Sequence, residues 1–155
     1  MPYKIYLTLE QPYRARLTPA RLRAAARAAL RHQAAPEPAE LTVLITGDEN
    51  LRTLNRDFLG HDTPTDVLAF PSGETDPDTG ARYLGDIAIS YPRARAQAAQ
   101  GKHPVWAELQ LLVVHGVLHL LGHDHDEPDE HGRMWAAQAE ILKRLKAPIR
   151  GPSGL

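Results

Sequence analysis

The chain has 155 residues, 43% of them hydrophobic and 24% charged, a balance typical of one globular domain. It contains no cysteine, which excludes disulfides, thiol nucleophiles, iron–sulfur clusters and cysteine-ligated zinc. The formal net charge of −1 conceals a segregated layout. Residues 11–36 hold Arg14, Arg16, Arg21, Arg23, Arg27 and Arg31 and no acid, while residues 122–131 hold Asp124, Asp126, Glu127, Asp129 and Glu130 and no lysine or arginine. A basic face suited to polyanions beside an acidic, cation-friendly rim is the expectation.

In chain order, residues 3–9 alternate like a strand and lack the apolar core of a secretion signal, which points to a cytoplasmic protein. Thr18-Pro19 opens a helix to about residue 31, with Leu17, Leu22, Ala26 and Leu30 on its buried side. Residues 41–46 read as a strand, and 49–58 as a helix carrying Leu51, Leu54 and Phe58 on one face. A loop over 60–64 leads to a strand at 66–70, then a polar, turn-rich loop to residue 80. Residues 83–90 form another strand, and Pro92 starts a helix to about residue 100. The nearly all-apolar stretch 105–121 predicts a central helix, and its apolar run is too short to span a bilayer. A last amphipathic helix covers 129–146. The fold class expected is α/β (α+β): one domain over 1–150, a small mixed four-stranded sheet with about five helices, and a frayed tail at 151–155.

The chemistry concentrates in HGVLHLLGHDH, which holds four of the eight histidines. His115 and His119 are four apart on the central helix, so their side chains lie one turn apart on one face. Gly122 can end the helix in a left-handed turn and bring His125 back as a third ligand. Three neutral imidazoles with an open fourth position describe a catalytic zinc site, one Zn²⁺ per chain. His123 is a further ligand option, set in the turn itself. The spacing matches the metzincin proteases, but position 116 is Gly where those enzymes carry their general-base glutamate. Gly116 instead permits close approach of backbone or substrate near the ion.

HGVLHLLGHDH closely resembles the signature of the YbeY family of bacterial endoribonucleases. LNRDFLGHDTPTDVLAF at 54–70 and GDIAIS at 85–90 are similar to further family blocks, and Glu108 stands where the family has an acid ahead of its histidines. The resemblance implies a metal-dependent endoribonuclease specific for single-stranded RNA. It further implies maturation of the 16S ribosomal RNA 3′ end, a part in ribosome quality control, and ribosomal or small-subunit protein partners, without a membrane. Three positions depart from the pattern: Leu59 replaces an arginine assigned to catalysis, Ala69 a serine, and His123 a tyrosine. Arg56, one turn before Leu59, is the substitute cation offered by spacing.

Glu108 precedes His115 by seven residues and is expected either to orient a ligand histidine or transfer a proton, or to be a buried carboxylate paired with an arginine. Asp124 and Asp86 are further candidates to support the ligands, and Thr65-Asp66 is either functional or a cap or turn. Arg21, Arg23 and Arg27 are the expected phosphate-binding residues, with Arg52, Arg56 and Arg82 as the alternative basic patch. Three function classes follow: a metal-dependent ribonuclease, a zinc hydrolase of another substrate class, and a noncatalytic RNA- or ribosome-binding protein with structural zinc. No pattern in the chain speaks to its oligomeric state.

Overall fold

Strands β1 (Tyr3–Leu9), β2 (Ala39–Thr46), β3 (Val67–Pro71) and β4 (Arg82–Ser90) build one sheet in the order β1-β2-β4-β3 in the computed structural model, which describes residues 3–123 and 128–149. β1, β2 and β4 are mutually parallel, and β3 pairs antiparallel with β4. Parallel neighbours require crossovers, and helices supply them. These are α1 (Gln11–Arg14) and α2 (Pro19–His32) after β1, then α3 (Asp48–Leu54) after β2. α4 (Tyr91–Gly101), α5 (Val105–Leu120) and α6 (Pro128–Leu145) follow β4. The mixed four-stranded sheet agrees with the sequence reading. The described residues add a one-turn α1, too short to show any periodicity.

The apolar residues of the sheet sort by alternation. Ile5, Leu41, Val43, Ile45, Ile87 and Ile89 face the helices and are fully or almost fully buried. α5 packs against α2, α4, α6, β3 and β4, and nearly every residue from Ala107 to Leu120 is buried. This explains its lack of a polar face. Gly116 is what allows α5 to sit so close to the sheet: a Cβ there would lie 2.6 Å from Ile87 Cγ2. The close approach foreseen at Gly116 is thus helix-to-strand packing.

In α2 the buried side is Leu22, Ala25, Ala26, Ala29 and Leu30, with Leu17 ahead of the helix and only partly covered. A larger departure comes after α3. Residues 55–59 form a π-helical turn ended by Gly60 in the left-handed conformation (φ 76°). The wider turn breaks the expected 3.6-residue stripe, so Phe58 is 68% exposed while Asn55 is buried. Asn55 Nδ2 then donates to the Thr63 carbonyl at 2.9 Å, pinning the loop that leads into β3. No helix among the described residues is long and apolar enough to cross a membrane.

Candidate metal centre and catalytic cleft

β3, α5 and the π-helical turn enclose a cleft of about 340 Å³ lined by Leu59, residues 65–69, His115, Gly116 and His119. His115 and His119 meet there as the i, i+4 spacing requires. Their Nε2 atoms are 3.1 Å apart, with ring centroids 4.7 Å apart and planes inclined by 65°. Two nitrogens on one tetrahedral ion at metal–ligand distances of about 2.0–2.1 Å are separated by roughly 3.3 Å. The donor chemistry and the spacing both fit a zinc ion. Among the described residues no third metal-binding side chain joins them, and the expected ligand His125 and neighbour Asp124 lie outside the described residues.

Gln138 was not anticipated from the sequence. It comes from α6, is 2% exposed, and its Oε1 lies 3.1 Å from His115 Nδ1. A carbonyl oxygen only accepts, so Nδ1 carries the proton and Nε2 keeps its lone pair towards His119. A polar residue on the buried face of an amphipathic helix was the only signal available for it.

Asp66 stands at the head of β3, where its Oδ1 accepts from Val67 N at 2.8 Å and its Oδ2 from Gln97 Nε2 at 3.2 Å. Thr65-Asp66 is part of the cleft wall, with a bend at Asp66 just ahead of β3. Leu59, 49% exposed, occupies the mouth. Arg56 does not take the missing arginine's place: it is exposed and paired with Asp57 at 2.9 Å.

Glu108 is fully buried, as one reading had it, but its partner is His103 rather than an arginine. His103 Nε2 lies 2.6 Å from Glu108 Oε1, and both side chains are shielded from solvent. Burial pushes the Glu108 carboxyl up, opposed by the bond to His103. A helical heptad puts Glu108 near the azimuth of His115, but two turns along the axis carry it out of the cleft lining.

Asp86 corrects the expectation that it supports the histidines. Its neighbour Ile87 faces α5, so alternation turns Asp86 to the opposite face of the sheet. A bulge at Leu84 and Gly85 puts Tyr83 on that same outer face, where its hydroxyl donates to Asp86 at 2.5 Å and lies 2.6 Å from Thr42 Oγ1. Gly85, with φ 139°, could not carry a Cβ there, because one would fall 2.2 Å from the Phe70 carbonyl.

Two of the three expected phosphate-binding arginines make contacts within the fold, and the third, Arg27, is half-buried. Arg21 stacks its guanidinium 3.6 Å above the Trp106 ring. Arg23 Nε donates to the Ile5 carbonyl at 3.3 Å. His123 points away from the pair: its Nε2 donates to Gln33 Oε1 of the α2 C-cap at 2.7 Å.

The chain matches the family model described as endoribonuclease YbeY over residues 10–146. An endoribonuclease YbeY of Chloroflexus aurantiacus is 50% identical over 131 residues, covering 80% of this chain and 84% of that protein. One of a Roseiflexus species is 44% identical over 140 residues, covering 86% and 88%. In fold, the chain is similar to a solution structure of a Thermotoga maritima protein, with a TM-score of 0.61 at 24% identity over 91% of this chain and 88% of that one.

Proposed function

The chain belongs to the endoribonuclease YbeY family, and from that premise we propose that it cleaves single-stranded RNA in a zinc-dependent reaction, with ribosomal RNA as the substrate. The observation that carries the reading is the convergence of the His115 and His119 Nε2 atoms, 3.1 Å apart, on a cleft whose position 116 is glycine. A protease of the same histidine spacing needs a glutamate there. His115, His119 and His125 are the residues to hold one zinc ion, which supplies Lewis-acid polarisation of a phosphoryl oxygen when bound.

The chain's own groups divide the remaining work. Gln138 fixes the His115 proton on Nδ1. Among the described residues Asp66 is the carboxylate lining the cleft, and proton transfer falls to it because Glu108 is withdrawn into its pair with His103. Leu59 covers the mouth but brings no cation to the phosphate. Residues 1–150 act as one catalytic domain. The family resemblance extends the reading to maturation of the 16S RNA 3′ end and to quality control. Ribosomal or small-subunit partners in the cytoplasm belong to the same reading.

Zinc content and cleavage of single-stranded RNA, compared between the wild type and His119→Ala, test this together with unfolded casein as the protease substrate. One zinc per wild-type chain, chelator-sensitive RNA cleavage and intact casein are expected, with zinc and cleavage both lost in the variant. Acidification should release the metal, since ligation needs neutral imidazoles. Casein cleavage without RNA cleavage would reverse the assignment, and a full zinc equivalent retained by His119→Ala would reject the ligand set.

A further inference from the structure

β1 runs directly into α1 and β4 into α4, and the two strands are parallel to the intervening β2, so both helices begin at the same edge of the sheet. Open α/β sheets bind ligands at this carboxyl edge. Between α1 and α4 lies a groove of about 560 Å³ whose lining includes Tyr13, Arg16, Tyr91, Pro92 and Arg95 and no acid. Its floor is firm. The Tyr13 and Tyr91 rings stack at 5.1 Å with an interplanar angle of 27°, and the Tyr13 hydroxyl closes on Gly47, where an added Cβ would be 2.9 Å away.

The neighbouring guanidiniums are already used: Arg14 donates to the Leu9 carbonyl, and Arg93 grips Asp48 through two bonds of 3.1 and 3.2 Å. Arg16 and Arg95 differ. Both are exposed, and neither has an acidic partner among the described residues. Two uncompensated cations beside an apolar wall, in which Pro12, Pro92 and the half-buried Tyr13 lie over the buried Tyr91, match phosphates alternating with flat bases and riboses. An acidic peptide would meet the charge but leave the flat wall unused. The groove lies across α4 from the catalytic cleft. On another flank of α4, Gln97 holds Asp66 of the cleft, so the two features are separated by about one helix diameter, roughly 10–12 Å.

We propose that this groove seats a single-stranded segment of the RNA substrate beyond the cleaved bond, with phosphates on Arg16 and Arg95. The inference rests on the RNA reading of the cleft and adds a second contact region to it.

Binding of fluorescent single-stranded oligonucleotides of increasing length, measured across a salt series, tests the inference. Arg16→Gln/Arg95→Gln should make the slope of log affinity against log salt shallower by about 1.4 for long oligonucleotides, at about 0.7 per lost contact. Short oligonucleotides filling only the cleft should bind and be cleaved as by the wild type. Arg16→Lys/Arg95→Lys should keep the slope, and Lys4→Gln/Lys143→Gln, with the same charge change at exposed positions away from the groove, should not alter it. An unchanged slope in the first variant, or an equal change in the distant one, overturns the groove. So does an equal loss of affinity for polyglutamate, which would assign the groove to an acidic protein. A wild type that binds no RNA would instead remove the reading of the cleft, and the groove with it.

Discussion

Gln138 and His115 meet across the α5–α6 interface, with Oε1 and Nδ1 3.1 Å apart and both residues buried. The bond selects the Nδ1–H tautomer and fixes the ring plane. Loss of such a partner typically lowers metal affinity about 10–100-fold. Gln138→Leu should therefore weaken zinc binding by about that factor, and Gln138→Glu, which keeps an acceptor, should restore most of it. Competition with a chromophoric chelator measures both. Equal affinity in Gln138→Leu would mean that Gln138 does not position the ligand.

Leu59 occupies the cleft mouth, and no arginine among the described residues lines it, Arg56 being paired with Asp57 and Arg52 with Asp62. Leu59→Arg would place a donor where charge develops on the phosphate. A single well-placed donor contributes about 10²–10³ in kcat in other enzymes, and a gain of at least about tenfold is expected on this exposed rim. Single-turnover cleavage with zinc content held equal is the measurement. No gain would show that the leucine position does not face the scissile phosphate.

Gly116→Ala should destabilise the fold without removing a ligand. Its Cβ would lie 2.6 Å from Ile87 Cγ2 and 3.0 Å from Cδ1, both at the centre of the helix–sheet interface. Overpacking of this kind costs about 1–3 kcal/mol. Urea unfolding should show the loss, and Ile87→Ala in the same chain should give a less-than-additive total. Strict additivity would place the strain elsewhere.

On the outer sheet face, burial first and the bond to Asp86 second push the Tyr83 phenol up to about 12. A group whose pKa is raised on folding favours the native state while protonated. The contribution is thus present below the ordinary tyrosine value of 10.0 and is lost as pH rises from there towards about 12. Difference absorbance titration against Tyr83→Phe should reveal this late phenol, and Asp86→Asn should move it down. A Tyr83 midpoint near the ordinary value would contradict the bond.

Local rules reached far into this protein. All four strands were legible, the first from its alternation and the second from its short apolar run, and the long apolar run predicted the buried α5. The i, i+4 spacing brought His115 and His119 together because a single helical turn makes them neighbours whatever packs around them. The same rule misled at Phe58, where the π-helical turn changed the period, and at Glu108, where seven residues preserved the azimuth but not the depth along the axis.

What the sequence by itself determined is the set of side chains whose relation runs along one element: the histidine pair and the apolar stripes. Only the tertiary structure decided the partners that cross between elements. Gln138 reached His115, while Asp86 was turned to the far side of the sheet and Arg16 was set opposite Arg95. The physical reason is that helix and strand periodicities set directions within a few residues. Which distant face lies opposite depends on strand order and on how closely glycines such as Gly116 let the layers approach.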